Sequence, residues 1–237
     1  MARILSYEGK IPKRIGDFVL YKLGDDLIVR SISGFTTEEL KKSAKYVNCR
    51  KSSTEFGLVS STCKLIRMEL QELLPKSNNL AVVNSFTKKM LSLLAFDTLN
   101  TKGSRNLATA LANVDGIKSL LNYNFNPDCE WIFAYEMEMQ HVSLKVITLP
   151  LEDQPYWIGY RTHIFDFQYG AGANNLVSST WHFESAVTPE LVLPLPPLET
   201  SKGTRFYLLE VSLFLKVDLS FEPATTATKA LIIIHLA

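Results

Sequence analysis

The residues that could do chemistry are few and scattered. His141, His163, His182 and His235 all fall in the second half, none within five residues of another. Metal ligands on a single element usually come at spacings such as three or four. The pattern therefore implies no bound metal or organic cofactor, and His141, His163 and His182 are the residues to examine first should one be found. Glu136 and Glu138 stand two apart in an alternating run, which puts both carboxylates on one strand face. Paired carboxylates can flank a scissile glycosidic bond, but any half-solvated strand shows the same pattern. Gly116-Ile117-Lys118-Ser119 lacks the upstream glycine of a phosphate-cradling loop. A Gly-x-Ser-x-Gly nucleophile elbow is missing too. The expectation is a non-enzymatic protein with no catalytic residues.

Aromatic residues are the other chemically suggestive group. Tyr156-Trp157-Ile158-Gly159-Tyr160 is followed by Phe165, Phe167, Tyr169, Trp181 and Phe183. Such a density either fills a β-sandwich core or forms an exposed stacking platform for a sugar or a protein. Lys41, Lys42, Lys45, Arg50 and Lys51 make a basic stripe on a helical stretch, which a solvated helix face explains.

Whole-chain properties narrow the classes further. The 237 residues are 46% hydrophobic and 21% charged, as in an ordinary globular protein with a sizeable core. Twenty-five Lys and Arg stand against 24 Asp and Glu, a net charge of +1, so the basic footprint of a nucleic-acid binder is missing. Cys49, Cys63 and Cys129 are too few for a disulfide framework and are expected as buried free thiols. Cys49 and Cys63, fourteen apart, would share one helix face. Glu8 falls where a secretory signal would continue an apolar run, and no stretch approaches the ~20 apolar residues of a membrane span. A cytoplasmic protein is expected.

The elements follow from periodicity. Two short β-rich runs separated by Gly24-Asp25-Asp26 predict an N-terminal hairpin. Thr36 and Glu39 have capping-box spacing and open a helical stretch that runs to Pro75, with an interruption near Gly57. A second helix is predicted over 80–94 and a weaker third over 105–121, broken at Asp115-Gly116. Near Asn124-Phe125-Asn126-Pro127-Asp128 the period changes to two. Tyr135, Met137 and Met139 alternate with polar residues, and strands are predicted over 142–149, 156–167, 179–183, 190–195, 206–218 and 230–236. Gly170-Ala171-Gly172 and Pro194-Leu195-Pro196-Pro197 supply turns. The fold class is α+β: a hairpin (1–34) and a helical bundle (35–124), then an antiparallel β-sandwich (125–237).

One resemblance is carried by short segments in a fixed order. They are Gly16-Asp17-Phe18-Val19-Leu20-Tyr21-Lys22, Val29-Arg30-Ser31, Arg50, Glu55-Phe56-Gly57, Leu65-Ile66-Arg67, Asp97, Gly103-Ser104-Arg105 and Phe125-Asn126. In these the chain resembles a family of uncharacterised Bacteroidota-type bacterial proteins, well over the first half and only in outline beyond. It departs at Pro12-Lys13-Arg14 and at Ser52-Ser53. The resemblance implies no known activity.

An isolated hairpin is marginal in water, and the run 230–236 is apolar on both faces, as in a strand buried on both sides. A hairpin and an apolar terminal strand are the parts needed for strand exchange between subunits. The expectation is a structural protein that assembles with itself into a homo-oligomer or filament. Phe18, Leu20, Tyr21, Ile28, Ile232 and Ile234 are its candidate contact residues. The alternative is a monomeric binding module whose aromatic face takes a glycan or a protein.

Overall fold

A computed structural model describes residues 2–4, 11–32, 36–76, 79–129, 131–138, 140–148, 156–170, 174–185, 191–197, 203–224 and 229–237. Met139, Leu149, Ala171, Gly172 and Glu190, named above in strands and turns, lie outside them. The chain divides into two compact units, Met1–Lys51 and Ser52–Ala237.

The N-terminal unit begins with β1 (Ala2–Ile4), β2 (Arg14–Ile15), β3 (Phe18–Leu23) and β4 (Asp26–Ser31). They form one antiparallel sheet in the order β1-β4-β3-β2. The predicted hairpin is its centre, with Leu20 opposite Val29 and Tyr21 opposite Ile28. Gly24 turns it at φ 62°, a sign of φ that glycine adopts without steric cost. Next comes α1 (Thr37–Lys42), whose Thr36 Oγ1 accepts the Glu39 N–H at 3.1 Å as the spacing predicts. The helical stretch then breaks at Ser43, which is extended and caps a 3-10 turn over Ala44–Tyr46. Arg50 Nη1 closes the end of α1 by donating to the carbonyls of Leu40 (2.6 Å) and Ser43 (3.0 Å).

The long helix α2 (Val47–Glu69) runs straight through Gly57, where an interruption was expected. Gly57 is solvent-exposed and costs the helix only about 1 kcal/mol relative to alanine, too little to break so long an element. The buried stripe of α2 is Glu55, Val59, Cys63 and Ile66, at helical spacing. Cys63 is buried, which pushes its thiol up to about 11. Contrary to the expectation of three buried thiols, Cys129 is half-buried and Cys49 exposed, the latter because the packed stripe of α2 starts only at Glu55. The third helix, α3 (Asn79–Leu93), passes into a 3-10 turn, Leu94–Phe96. The last helical stretch is two short pieces, α4 (Leu107–Leu111) and α5 (Val114–Leu120). Their break falls at Ala112-Asn113, not at Asp115-Gly116. Asn113 Oδ1 accepts the Asp115 N–H and starts α5 anew.

Among the described residues nine strands follow: β5 (Ile132–Met137), β6 (His141–Thr148), β7 (Trp157–Phe167), β8 (Asn175–Ser178), β9 (His182–Glu184), β10 (Leu191–Pro194), β11 (Thr204–Val217), β12 (Ser220–Pro223) and β13 (Ala230–Leu236). All pairings are antiparallel. β10, β6 and β5 make a three-stranded sheet, and β7, β8, β9, β11, β12 and β13 a six-stranded one. Alternate residues of the larger sheet feed different cores. Phe165, Phe206, Leu208, Leu231 and Ile233 pack with Ile66, Phe86, Met90 and Leu120 of the helices. Tyr160, Ile164, Leu209, Val211 and Ile232 pack with Val142, Leu144 and Leu193 of the smaller sheet. The result is three layers, helix on sheet on sheet, confirming the α+β class and carrying one core across residue 124.

Two glycines separate close packing from free space. A Cβ on Gly116 would meet the Ala110 carbonyl oxygen at 2.0 Å, whereas one on Gly57 would meet nothing within 4 Å. Gly116→Ala is expected to cost about 1–3 kcal/mol in chemical denaturation, and Gly57→Ala to gain up to about 1 kcal/mol. Equal effects of the two would contradict this packing.

Candidate functional site

The six residues proposed as contacts separate into two groups. Phe18, Leu20, Tyr21 and Ile28 all lie in the N-terminal sheet. Strand alternation and the pairing of Ile15 with Phe18 put Ile15, Phe18, Leu20, Leu27 and Val29 on one face. Val19, Tyr21, Leu23 and Ile28 line the other. Among the described residues of this unit only Leu20 and Leu27 are buried hydrophobics. Ile15 (53%), Phe18 (50%), Tyr21 (37%) and Leu23 (67%) remain exposed, two on each face. β2 pairs with Phe18 and Val19, and the Leu20 N–H donates to the Lys13 carbonyl just before it.

Ile232 and Ile234 lie elsewhere, inside the second core. Both edges of β13 are occupied within the chain. β11 pairs along one edge, and on the other the 122–125 segment exchanges backbone hydrogen bonds with Ile233 and Leu231. Asn124 Oδ1 accepts the Leu231 N–H, and Asn126 Nδ2 donates to the Lys229 carbonyl. The apolar terminal run is thus consumed as core.

A charged cluster sits at the middle of the six-stranded sheet. β11 is buried without a break from Arg205 to Phe214, and Glu210 lies within that run, 1% exposed. Directly across the ladder, Arg161 donates from Nε (3.0 Å) and Nη2 (2.6 Å) to Glu210 Oε2. Lys229 Nζ reaches Oε1 at 2.6 Å, and His163 Nε2 stands 2.9 Å from Oε2. Burial raises the Glu210 pKa, but the His163 hydrogen bond and the Lys229 and Arg161 charges outweigh it and hold the carboxyl at about 2. Burial likewise pushes His163 below its usual value, against the Glu210 hydrogen bond, and the two cations push the same way.

Ser178 completes a row, its Oγ 2.7 Å from His163 Nδ1. Hydroxyl, imidazole and carboxylate in contact can activate a serine when the carboxylate stabilises an imidazolium. Here the carboxylate is already neutralised by Arg161 and Lys229, and an imidazolium would stand beside two cations. A neutral imidazole that donates to Glu210 and accepts from Ser178 satisfies every partner. The cluster reads as compensation of a buried charge.

Beyond Arg161 the same sheet turns aromatic. The guanidinium lies 4.4 Å from the Trp181 ring centroid. Trp181 packs on Phe183 and Phe214; Phe183 stacks on Phe221 at 3.9 Å, and Phe221 meets Trp157. Gly159 lets these rings lie on the backbone, since a Cβ there would be 2.4 Å from the Phe214 ring. Of the aromatics singled out in the sequence, Phe165 and Phe167 fill the helix-side core, whereas Trp157, Trp181 and Phe183 are half-buried in this row.

The remaining candidates are dispersed. His141 pairs with Glu138 at 3.1 Å and His182 with Glu184 at 2.7 Å, and His235 packs edge-on against Tyr207. Among the described residues no three His, Cys, Asp or Glu are grouped to hold a metal ion. No helix of the structure is long and apolar enough to cross a membrane. A second polar centre orders the 97–106 loop: Glu55 accepts from Gly103 N and, in fork geometry, from Arg105. Asp97 accepts from the backbone of Leu99, Asn100 and Asn106. Sequence reasoning missed Glu210 and its partners, although a lone acid in Phe206-Tyr207-Leu208-Leu209-Glu210-Val211 is the visible signal. No family model, curated protein or solved structure matches the chain.

The lowered pKa values make stability depend on pH. The unfolded chain takes up protons at these groups before the folded chain does. Stability should fall as pH drops, first below about 6.5 through His163, then from about 4.5 towards 2 through Glu210 and Glu55. Thermal melts across that range are expected to show both limbs, with the upper one reduced in His163→Asn and its remainder carried by His235, whose imidazole burial also pushes down. Glu210→Gln, which leaves two cations against a buried neutral group, should cost about 3–5 kcal/mol. A pH-independent Tm would contradict the assignment.

Proposed function

We propose that the protein is a non-enzymatic structural component that assembles with other copies of itself through its N-terminal sheet. The observation that carries the reading is exposure: Ile15, Phe18, Tyr21 and Leu23 stand out on both faces of a small sheet with two buried leucines. Contiguous exposed apolar side chains mark surfaces that bury against a partner. A small sheet also gains little stability by itself. Lengthening such a sheet by a strand from another copy is the geometry of strand addition. The terminal strand has no part in this, because both its edges are filled. A second reading rests on the half-buried row of Trp157, Trp181, Phe183 and Phe221, which suits a monomeric module that grips a glycan or a protein.

Size-exclusion chromatography with light scattering decides between them. The wild-type chain is expected to run well above its 26.7 kDa monomer mass. Ile15→Asp with Phe18→Asp, both at exposed positions, should return it to a folded monomer with an unchanged Tm. A sharp wild-type monomer peak would sink the assembly reading and leave the aromatic row as the surface to test.

A further inference from the structure

Three clusters outside the proposed contact surface could carry a further role. The Ser178–His163–Glu210 row is opposed by its own cations, and the aromatic rings largely cover one another. The third is a cavity of about 460 Å³ between the end of α2 and the start of α3.

Its wall carries Lys64 and Arg67 from α2 and Lys76 from the connection that follows. Lys64, Arg67 and Met68 follow one another at helical spacing on one α2 face, and Gln71 comes just past its end. No carboxylate lines the cavity among the described residues. Among the described residues none of the three cations forms an ion pair either.

Arg67 is the unusual member. It is half-buried, and its Nη1 is sealed from solvent with no hydrogen-bond partner among the described residues. Elsewhere in the same unit, buried guanidinium groups are compensated: Arg105 by Glu55, Arg161 by Glu210 and Arg205 by Asp166. A partly buried cation with no counter-charge is costly, and an anion in the cavity would remove that cost.

The volume lies in the range of small-molecule sites. With a net charge of +1 for the whole chain and three cations at one cavity, a single anionic group fits better than a nucleic-acid backbone. We infer that this cavity binds a small phosphate-bearing anion, held by Arg67 at its base and by Lys64 and Lys76 at its rim. Guanidinium groups match phosphate oxygens in planar, two-point contacts, and the ammonium groups add charge from the sides.

The test is calorimetric titration of the full chain with inorganic pyrophosphate at low ionic strength, beside thermal melts. Pyrophosphate is expected to bind and to raise the Tm. Lys64→Gln with Lys76→Gln, both at exposed positions, should fold normally and bind at least about tenfold more weakly. Lys102→Gln with Lys118→Gln, equally exposed but away from the cavity, should bind as the wild type does. Arg67→Met should abolish the thermal shift. No binding at millimolar pyrophosphate would overturn the proposal, and so would equal weakening by the two lysine pairs.

Discussion

A strand buried on both faces has nowhere to put a charge, and β11 carries one at its centre. From Arg205 to Phe214 it is buried on both faces: Phe206 and Leu208 lie under the helices, and Tyr207, Leu209, Val211 and Leu213 face the smaller sheet. Glu210 is tolerable there only because Arg161 faces it across the ladder, Lys229 arrives just before β13, and His163 donates from the same sheet face. Removing such partners leaves a buried charge uncompensated, which costs more than the pairing itself contributes. The requirement constrains the register of β7 against β11. A one-residue slip would move Arg161 to the opposite face and carry Asp166 away from Arg205, its own cross-strand partner.

That register also determines where the sheet face changes character. At one end Phe165 and Phe206 stand opposite each other under the helices. The charged cluster comes next, and beyond Arg161 the face is built of stacked rings. Gly159 is the position that permits the change, because any side chain there would collide with Phe214 and Phe183. An apolar core, a compensated charge and an aromatic row thus succeed one another along three strands with a single pleat. The ion cluster insulates the helix-covered core from the half-exposed row, and it gives the guanidinium that lies over Trp181 a fixed position.

Much of this was legible from periodicity. The change of period near Asn124 marks the passage from helix to strand. The run 230–236 predicts β13 to within a residue, and the Thr36–Glu39 spacing predicts the observed cap. Breaks inside helices were less legible, because glycine was weighed above its cost: α2 continues through Gly57, while the breaks fall at Ser43 and Asn113. Those residues offer a side-chain oxygen to the backbone and so begin a new helix. Ile232 and Ile234 read as a hazard at the end of the chain because pairing by the 122–125 segment, more than a hundred residues away, leaves no periodic trace. The Glu210 cluster is hidden for the same reason. Its members come from three strands and a connection, and only the lone acid in an apolar run betrays it.

The N-terminal sheet and the central strands of the six-stranded sheet treat apolar surface differently, and the contrast supports the assembly reading. In residues 52–237 nearly every large aliphatic side chain of the central strands is buried, and even an ionised glutamate is brought inside with its partners. In the first 51 residues the chain spends Ile15, Phe18, Tyr21 and Leu23 on exposed positions of a sheet with two buried leucines. Alternation with period two normally lets a sheet place its apolar residues on one face and its polar residues on the other. This sheet places exposed apolar side chains on both, so covering one face from within the unit would leave the other in water. A sheet with exposed apolar side chains on both faces has the composition of a layer between partners. On the assembly reading proposed above, hydrophobic burial against another copy supplies the stability that its own two leucines do not.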